Sequence, residues 1–79
     1  MTMKELIEYV ARELVEKGDA VTVKEIKGVK SVIFELACDP GDMGRIIGKD
    51  GRIIKSLRTL VKAMAARHGG ETVELEVID

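Results

Sequence analysis

The residues best suited to chemistry lie between positions 46 and 54, where two glycines three positions apart stand between pairs of isoleucines. Gly48 and Gly51 allow positive φ angles and the close approach of another backbone, because neither has a Cβ. The turn opens the longest amphipathic run of the chain, so the free N–H groups and the positive dipole end of a helix would face its occupant. The pattern predicts a helix-to-helix turn that binds an anion such as phosphate.

Basic residues are concentrated around this turn, although the chain as a whole has a formal net charge of -1 and a pI near 5.8. Between positions 43 and 68, seven lysines and arginines stand against Asp50 alone, a balance of +6. The remaining residues include six basic and thirteen acidic ones, a balance of -7. An acidic average argues against nucleic acid, and a charged helix face is often only solvated. This degree of segregation favours a surface that faces a polyanion.

Length and composition predict one folded domain that covers residues 1–79, with 46% hydrophobic and 34% charged residues. No apolar run is long enough to span a membrane and the N-terminus lacks a signal-peptide pattern, so we expect a cytoplasmic protein without membrane association. One cysteine and one histidine cannot form a structural zinc site or an internal disulfide. We therefore expect no metal and no cofactor, and Cys38 is interpreted as a small packing residue.

Hydrophobic periodicity predicts the order helix, strand, strand, helix, helix, strand. The predicted elements are a helix over 3–17 with a Thr2–Glu5 capping box, a hairpin of strands 21–26 and 31–38, helices over 40–47 and 52–68, and a strand over 72–78. About thirty residues join the second and third strands, which suits a right-handed crossover between parallel neighbours. The predicted fold is a two-layer α/β (α+β) domain, with three helices on one face of a three-stranded mixed sheet.

The long helix has three distinct faces when its residues are placed at 100° intervals. The first, predicted to lie in the core, comprises Ile53, Ile54, Leu57, Leu60, Val61 and Met64. One flank is basic and comprises Lys55, Arg58 and Lys62. The other side carries the small residues Ser56, Thr59, Ala63 and Ala66. Small residues let another helix approach closely, so they form a possible partner interface, although they equally suit a solvated face.

The segment Ile46-Ile47-Gly48-Lys49-Asp50-Gly51-Arg52-Ile53-Ile54 resembles the loop pattern of KH domains, and the element order resembles their prokaryotic type II arrangement. The phrases Pro40-Gly41-Asp42-Met43-Gly44-Arg45-Ile46-Ile47-Gly48 and Arg58-Thr59-Leu60 further resemble the small stand-alone bacterial KH proteins of the KhpA (YlqC) family. The match covers essentially the whole chain. A lone G-x-x-G is a weak signal, whereas isoleucine pairs on both sides and a position between two helices make it specific. The resemblance implies single-stranded RNA, clamped over about four nucleotides with the loop on its backbone.

Residue types assign roles to the candidate RNA-binding residues, which are Arg45, Ile46, Ile47, Gly48, Lys49, Asp50, Gly51, Arg52, Ile54 and Lys55. The glycines let the phosphodiester approach the backbone, and the basic side chains supply charge. Bases are expected across Ile46, Ile47 and Ile54, although the pattern does not specify which isoleucines belong to the core. With only two aromatic residues in the chain, we expect modest affinity and low selectivity. Asp50 stabilises a helix start but repels phosphate, which weakens binding further.

Other classes of function are less well supported. No carboxylate pair or Cys–His arrangement indicates an enzyme, and the glycine turn lacks both Walker spacing and a preceding strand. A helix-turn-helix that binds duplex DNA stays open as an alternative. The main alternative is a dimerising protein-interaction module, which is compatible with RNA binding because dimerisation links two weak sites. The family resemblance implies an RNA chaperone or post-transcriptional regulator, self-association or a partner with a Jag-type KH domain, and roles in cell elongation or division.

Overall fold

Three strands form one mixed sheet, and three α-helices cover one of its faces in the computed structural model, which describes residues 1–78. The elements are α1 (Met3–Leu14), β1 (Thr22–Lys27), β2 (Ser31–Ala37), α2 (Met43–Ile47), α3 (Arg52–Arg67) and β3 (Thr72–Ile78). Single 3₁₀ turns occupy Gly18–Ala20, Pro40–Asp42 and Lys49–Gly51. The predicted order of elements and the two-layer α/β class are confirmed.

Strand β2 lies at the centre of the sheet, antiparallel to β1 and parallel to β3. In the register, Phe34 stands opposite Glu25 of β1 and Leu75 of β3. Alternate residues of β2 are buried and half-buried, as expected for a central strand with one face beneath helices. The parallel pairing of β2 and β3 follows the prediction drawn from the helical crossover between them.

The core lies between the sheet and the helices. Its largest fully buried side chains are Phe34, Ile7, Leu36, Ile46 and Val61. Burial of each such side chain stabilises the fold by about 1.5 to 3 kcal/mol. Cys38 is also buried at the end of β2, where its thiol lies 3.5 Å from the sulfur of Met43. The core therefore joins every helix to the central strand and fixes where α2 and α3 meet.

The first helix begins as predicted but ends three residues early. The Thr2 hydroxyl accepts from the Glu5 amide at 3.1 Å, and the Glu5 carboxylate accepts from the Thr2 amide at 2.9 Å. These bonds complete the capping box, and the backbone bond from Thr2 lowers the pKa of Glu5. At the other end Val15 is extended, and the next two amides donate to Asp42 instead of continuing the helix. The prediction of a helix to residue 17 is wrong, because the amides of Glu16 and Lys17 bond to Asp42 and not to the carbonyls of a last helical turn.

Two further predictions need correction. The predicted helix over 40–47 is a 3₁₀ turn followed by α2, with the Asp39 side chain accepting from the Gly41 amide at 2.9 Å. Leu60, predicted to lie in the core, is 52% exposed. It lies at the edge of the apolar arc of α3, beyond the reach of the sheet. An exposed leucine on this side of α3 leaves an apolar surface there.

Candidate nucleic-acid interface

The turn between α2 and α3 has a backbone that only specific residues can adopt. Gly48 has φ 77° and ψ 171°, Asp50 has φ 57° and ψ 23°, and Gly51 has φ 71° and ψ 18°. A Cβ on Gly48 would lie 2.6 Å from Cγ1 of Ile53, so glycine is required there for space as well as for conformation. Asp50 takes a left-handed conformation that aspartate tolerates better than most residues. The turn is thus compact and has a fixed shape.

The N-terminus of α3 opens directly from this turn. Its N-cap residue is Gly51, which has no side chain to accept from the amides of the first helical turn. Those amides are the groups that a helix ordinarily offers to a cap or to an anion. Lys49 and Arg52 are exposed beside them, and neither forms a salt bridge with any residue in 1–78. Lys55 reaches back, with its Nζ 3.4 Å from the carbonyl oxygen of Asp50. The Arg52 amide itself donates to the carbonyl of Lys49. The amides that follow it have no side-chain cap and lie near the cations of the turn.

Arg45 differs from the other predicted cations because two carboxylates hold it. Its guanidinium forms an ion pair with Glu16, and its Nε lies 3.4 Å from Oδ1 of Asp42. Asp42 is itself buried and accepts from the amides of Glu16 and Lys17 at 3.2 and 3.1 Å. The Lys17 amide bond is the main cause that lowers the pKa of Asp42, and the bond from Glu16 and the charge of Arg45 act in the same direction. This cluster ties α2 to the end of α1.

The structure separates the isoleucines that the sequence could not. Ile46 is 1% exposed and Ile54 is 4% exposed, so both side chains belong to the core. Ile54 and Val61 belong to the same core cluster and lie two turns apart on one face of α3. Ile47 is 38% exposed and remains at the surface beside Gly48. The expectation that bases lie across the side chains of Ile46 and Ile54 is therefore corrected, whereas Ile47 is accessible.

A groove between α3 and β3 continues the basic surface away from the turn, and sequence reasoning did not place it in the site. It has a volume of about 320 Å³ and is lined by Arg58 and Lys62 on the α3 side and by residues 73–76 of β3, whose Glu74 and Glu76 add two acidic side chains. Arg58 donates from Nε to the carbonyl of Leu75 at 3.0 Å. Since β3 is an edge strand, and alternate residues direct their backbone groups to the same side, Val73, Leu75 and Val77 present theirs to this groove. The sequence shows that these basic residues share one flank of α3. It does not show that this flank lies beside β3.

On its other side α3 forms an apolar groove with α1, which we call the α1–α3 groove. It has a volume of about 300 Å³, and its lining includes Val10, Leu14, Ile53 and Leu60. The small residues predicted as a partner interface lie beside it and are all exposed: Ser56, Thr59, Ala63 and Ala66. The hydroxyls of Ser56 and Thr59 donate to carbonyls four residues earlier, at 2.8 and 3.1 Å. Their polar groups are thus partly satisfied within the helix, which leaves a shallow surface for contact.

Within residues 1–78, no helix is long and apolar enough to cross a membrane. The same residues contain no group of histidine, cysteine, aspartate and glutamate side chains arranged to hold a metal ion. Every buried side-chain nitrogen or oxygen in this part of the chain has a hydrogen-bond partner. The chemistry of the site therefore rests on backbone amides, cations and the free edge of β3.

The element order, the mixed sheet and the glycine turn between α2 and α3 together define a type II KH domain. The chain belongs to the KhpA/KhpB KH-domain family, whose sequence pattern matches residues 4–77. It is 49% identical over 76 residues to a Clostridium perfringens protein named RNA-binding protein KhpA, covering 96% of this chain and 100% of that relative. A relative of the same name from Aquifex aeolicus is 44% identical over 77 residues, covering 98% and 96% of the two chains.

The fold also resembles that of a larger protein of known structure. A crystal structure of Era from Aquifex aeolicus matches with a TM-score of 0.65 and 21% sequence identity. The match covers 95% of this chain but only 29% of the Era chain. At this level of identity the likeness concerns the fold alone.

Proposed function

We propose that this chain binds short single-stranded RNA, with the sugar–phosphate backbone on the turn formed by Gly48, Lys49, Asp50 and Gly51. The observation that carries the proposal is the turn itself: two glycines with positive φ, Gly48 and Gly51, lead into a helix N-terminus without a side-chain cap. Lys49 and Arg52 supply positive charge beside those amides. Membership of the KhpA/KhpB family and the name of its relatives, RNA-binding protein KhpA, support the same conclusion.

From the turn, the strand is proposed to follow the basic flank of α3 toward β3. Lys55, Arg58 and Lys62 lie along this path, and the free edge of β3 offers amide and carbonyl groups to the edges of bases. The exposed side chain of Ile47 provides apolar contact at the start of the path. Phe34 is buried and Tyr9 lies on α1, so no aromatic side chain lines the path. Base contacts of this kind favour low selectivity.

Weak and exchangeable contacts suit an RNA chaperone or post-transcriptional regulator that acts in the cytoplasm. Three or four phosphate contacts on a single strand correspond to a salt slope of only about -2 to -3. Asp50 is exposed within the turn and lowers the local potential further. Such a site would release one RNA readily and bind another.

The test is a titration of a short labelled single-stranded RNA with the wild-type protein, Lys49→Asp and Lys4→Asp at two salt concentrations. Lys4 lies in the first turn of α1, outside the proposed site, so the two variants have the same net charge. We expect Lys49→Asp to lose binding and Lys4→Asp to retain it, with circular dichroism showing that both are folded. Equal binding by the two variants would refute a site at the turn. A duplex DNA of the same length, bound more tightly than the RNA, would favour the helix-turn-helix alternative.

A second function, pairing with another KH protein, is favoured by the α1–α3 groove. Leu60 is 52% exposed beside this groove, and the strip Ser56, Thr59, Ala63 and Ala66 allows a helix to approach closely. We propose a homodimer through this face, or an equivalent contact with a Jag-type KH protein in the control of cell elongation or division. Two linked copies would raise the apparent affinity for RNA without a new contact.

Sedimentation equilibrium tests the dimer with Leu60→Asp and a control, Val29→Asp. Val29 is fully exposed at the tip of the β1–β2 hairpin, so the control makes the same change of charge on an apolar surface residue elsewhere. We expect Leu60→Asp to be monomeric at concentrations where Val29→Asp and the wild type are dimers. A monomeric wild type at the highest soluble concentration would contradict self-association.

A further inference from the structure

The face of the sheet opposite the helices is uncovered, and we call it the open sheet face. Residues of β2 and β3 that alternate with the core residues point to this side. It exposes aliphatic surface, with Ile26 and Ile78 both 39% exposed and Ile33 half-buried between the two outer strands. A sheet that packs helices on one face only usually keeps its other face polar. Here it is neither covered nor uniformly polar.

The charge of the open sheet face is negative and concentrated on β2 and β3. Glu35 stands directly opposite Glu76 in the parallel register, and Glu74 lies two residues before Glu76 on the same face. Lys24, opposite Glu35 on the other side, is the basic residue of this row. None of the salt bridges within residues 1–78 involves these four side chains. Like charges directly opposite each other in a sheet destabilise it, so the free protein would gain from a cation placed between them.

The size of the face limits what can cover it. Seven residues along three strands give a surface of about 300 Å², from a rise of about 3.3 Å per residue and a strand spacing of about 4.8 Å. A stable contact between two globular proteins buries about 800 Å² on each side, well above this area. A single helix, about 10 Å in diameter, fits across three strands. A helix of about four turns would be as long as the strands of this face.

We infer that the open sheet face docks one amphipathic helix of a protein partner, with an aliphatic stripe against Ile26, Ile33 and Ile78 and lysines or arginines over Glu35, Glu74 and Glu76. The charge of the face selects a basic helix and repels nucleic acid. The basic flank of α3 lies on the opposite side of the sheet, within the helical layer. RNA on the helical side would therefore adjoin the partner helix only along β3, where Glu74 and Glu76 border the groove with Arg58 and Lys62.

The probe is an eighteen-residue peptide of leucine and lysine at helical spacing, added to the isotope-labelled protein and followed by NMR. We expect amide shifts on β1, β2 and β3, and roughly three- to tenfold weaker binding to the double variant Glu35→Gln, Glu76→Gln. The control double variant, Glu13→Gln with Asp19→Asn, removes two exposed acids from α1 and the following turn and should bind the peptide as the wild type does. Equal loss in both double variants would mean general charge attraction and would overturn the inference.

Two further readings complete the test. Shifts confined to the α1–α3 groove, or no binding, would also overturn the inference, because the peptide then ignores the open sheet face. Thermal unfolding should show that Glu35→Gln, which lies outside the groove between α3 and β3, is about as stable as the wild type, since it relieves the like-charge pair with Glu76. A loss of peptide binding in that variant is then a loss of docking and not of fold. RNA binding should stay unchanged in it, which separates this inference from the proposed function.

Discussion

Substitution of the glycines around the turn gives a graded series whose order follows from the structure. At Gly48 the φ, ψ pair lies in a region that is essentially restricted to glycine, which costs a substituted residue about 1 to 3 kcal/mol. The added Cβ would also lie 2.6 Å from Cγ1 of Ile53, and such overpacking costs about 1 to 3 kcal/mol more. We expect Gly48→Ala to destabilise the fold by about 2 to 6 kcal/mol, a large part of the stability of a domain of this size.

Two other glycines serve as controls for this prediction. Gly51 has a left-handed conformation but open space, with its nearest contact 3.6 Å from the added Cβ, so Gly51→Ala should cost about 1 to 2 kcal/mol. Gly44 lies within α2 with nothing near its added Cβ, so Gly44→Ala should stabilise by about 0.5 to 1 kcal/mol. Urea unfolding followed by circular dichroism measures all three. A Gly48→Ala variant no less stable than Gly51→Ala would refute the close packing of Gly48 on Ile53.

The other predictions concern the charged residues around the turn. Arg45→Gln should lower the urea midpoint but leave the salt slope of RNA binding nearly unchanged, because Glu16 and Asp42 hold this arginine, whereas Lys49→Gln should reduce the slope by about 0.7. Asp42 has a lowered pKa in the folded state, so its contribution to stability is present above about pH 4 and is lost as the pH falls toward that lowered value. Unfolding measured as a function of pH should therefore show that Asp42→Asn loses less stability in acid than an Asp19→Asn control. Asp50→Asn keeps a residue that tolerates the left-handed conformation and should tighten RNA binding up to about fivefold, since repulsion between unit charges about 4 Å apart in water is on the order of 1 kcal/mol. Unchanged affinity in Asp50→Asn would mean that the phosphate lies elsewhere.

Local sequence signals predicted most of the fold. The Thr2–Glu5 capping box, the alternation along β2 and the apolar repeat of α3 each act over a few residues, and the structure has all three where they were expected. The end of α1 could not be predicted, because it depends on the carboxylate of Asp42, more than twenty residues away. The burial of Leu60 was predicted wrongly because it also depends on distant residues. Periodicity predicts which side of α3 carries Leu60, but not how far the sheet extends beneath that side.

The site was only partly accessible to sequence reasoning. Glycine spacing located the turn, and charge segregation indicated a polyanion. Whether an isoleucine beside the turn is core or surface depends on the crossing of α2 and α3, so Ile46 and Ile47 could not be distinguished. The groove between α3 and β3 depends on which flank of α3 faces the free edge, which the contact of Arg58 with Leu75 reveals. The ion pair of Arg45 with Glu16 could likewise not be predicted, because it depends on where the end of α1 lies.

The most direct test of the central claim is an NMR titration of the labelled protein with a short single-stranded RNA. The proposed function predicts the largest amide shifts at residues 48–52, with a second group along Val73–Val77 at the free edge of β3. Amides of β1, of β2 and along α1 should change little. Shifts centred on the α1–α3 groove, or none at low salt, would contradict RNA binding at the turn and leave the partner interface as the functional surface.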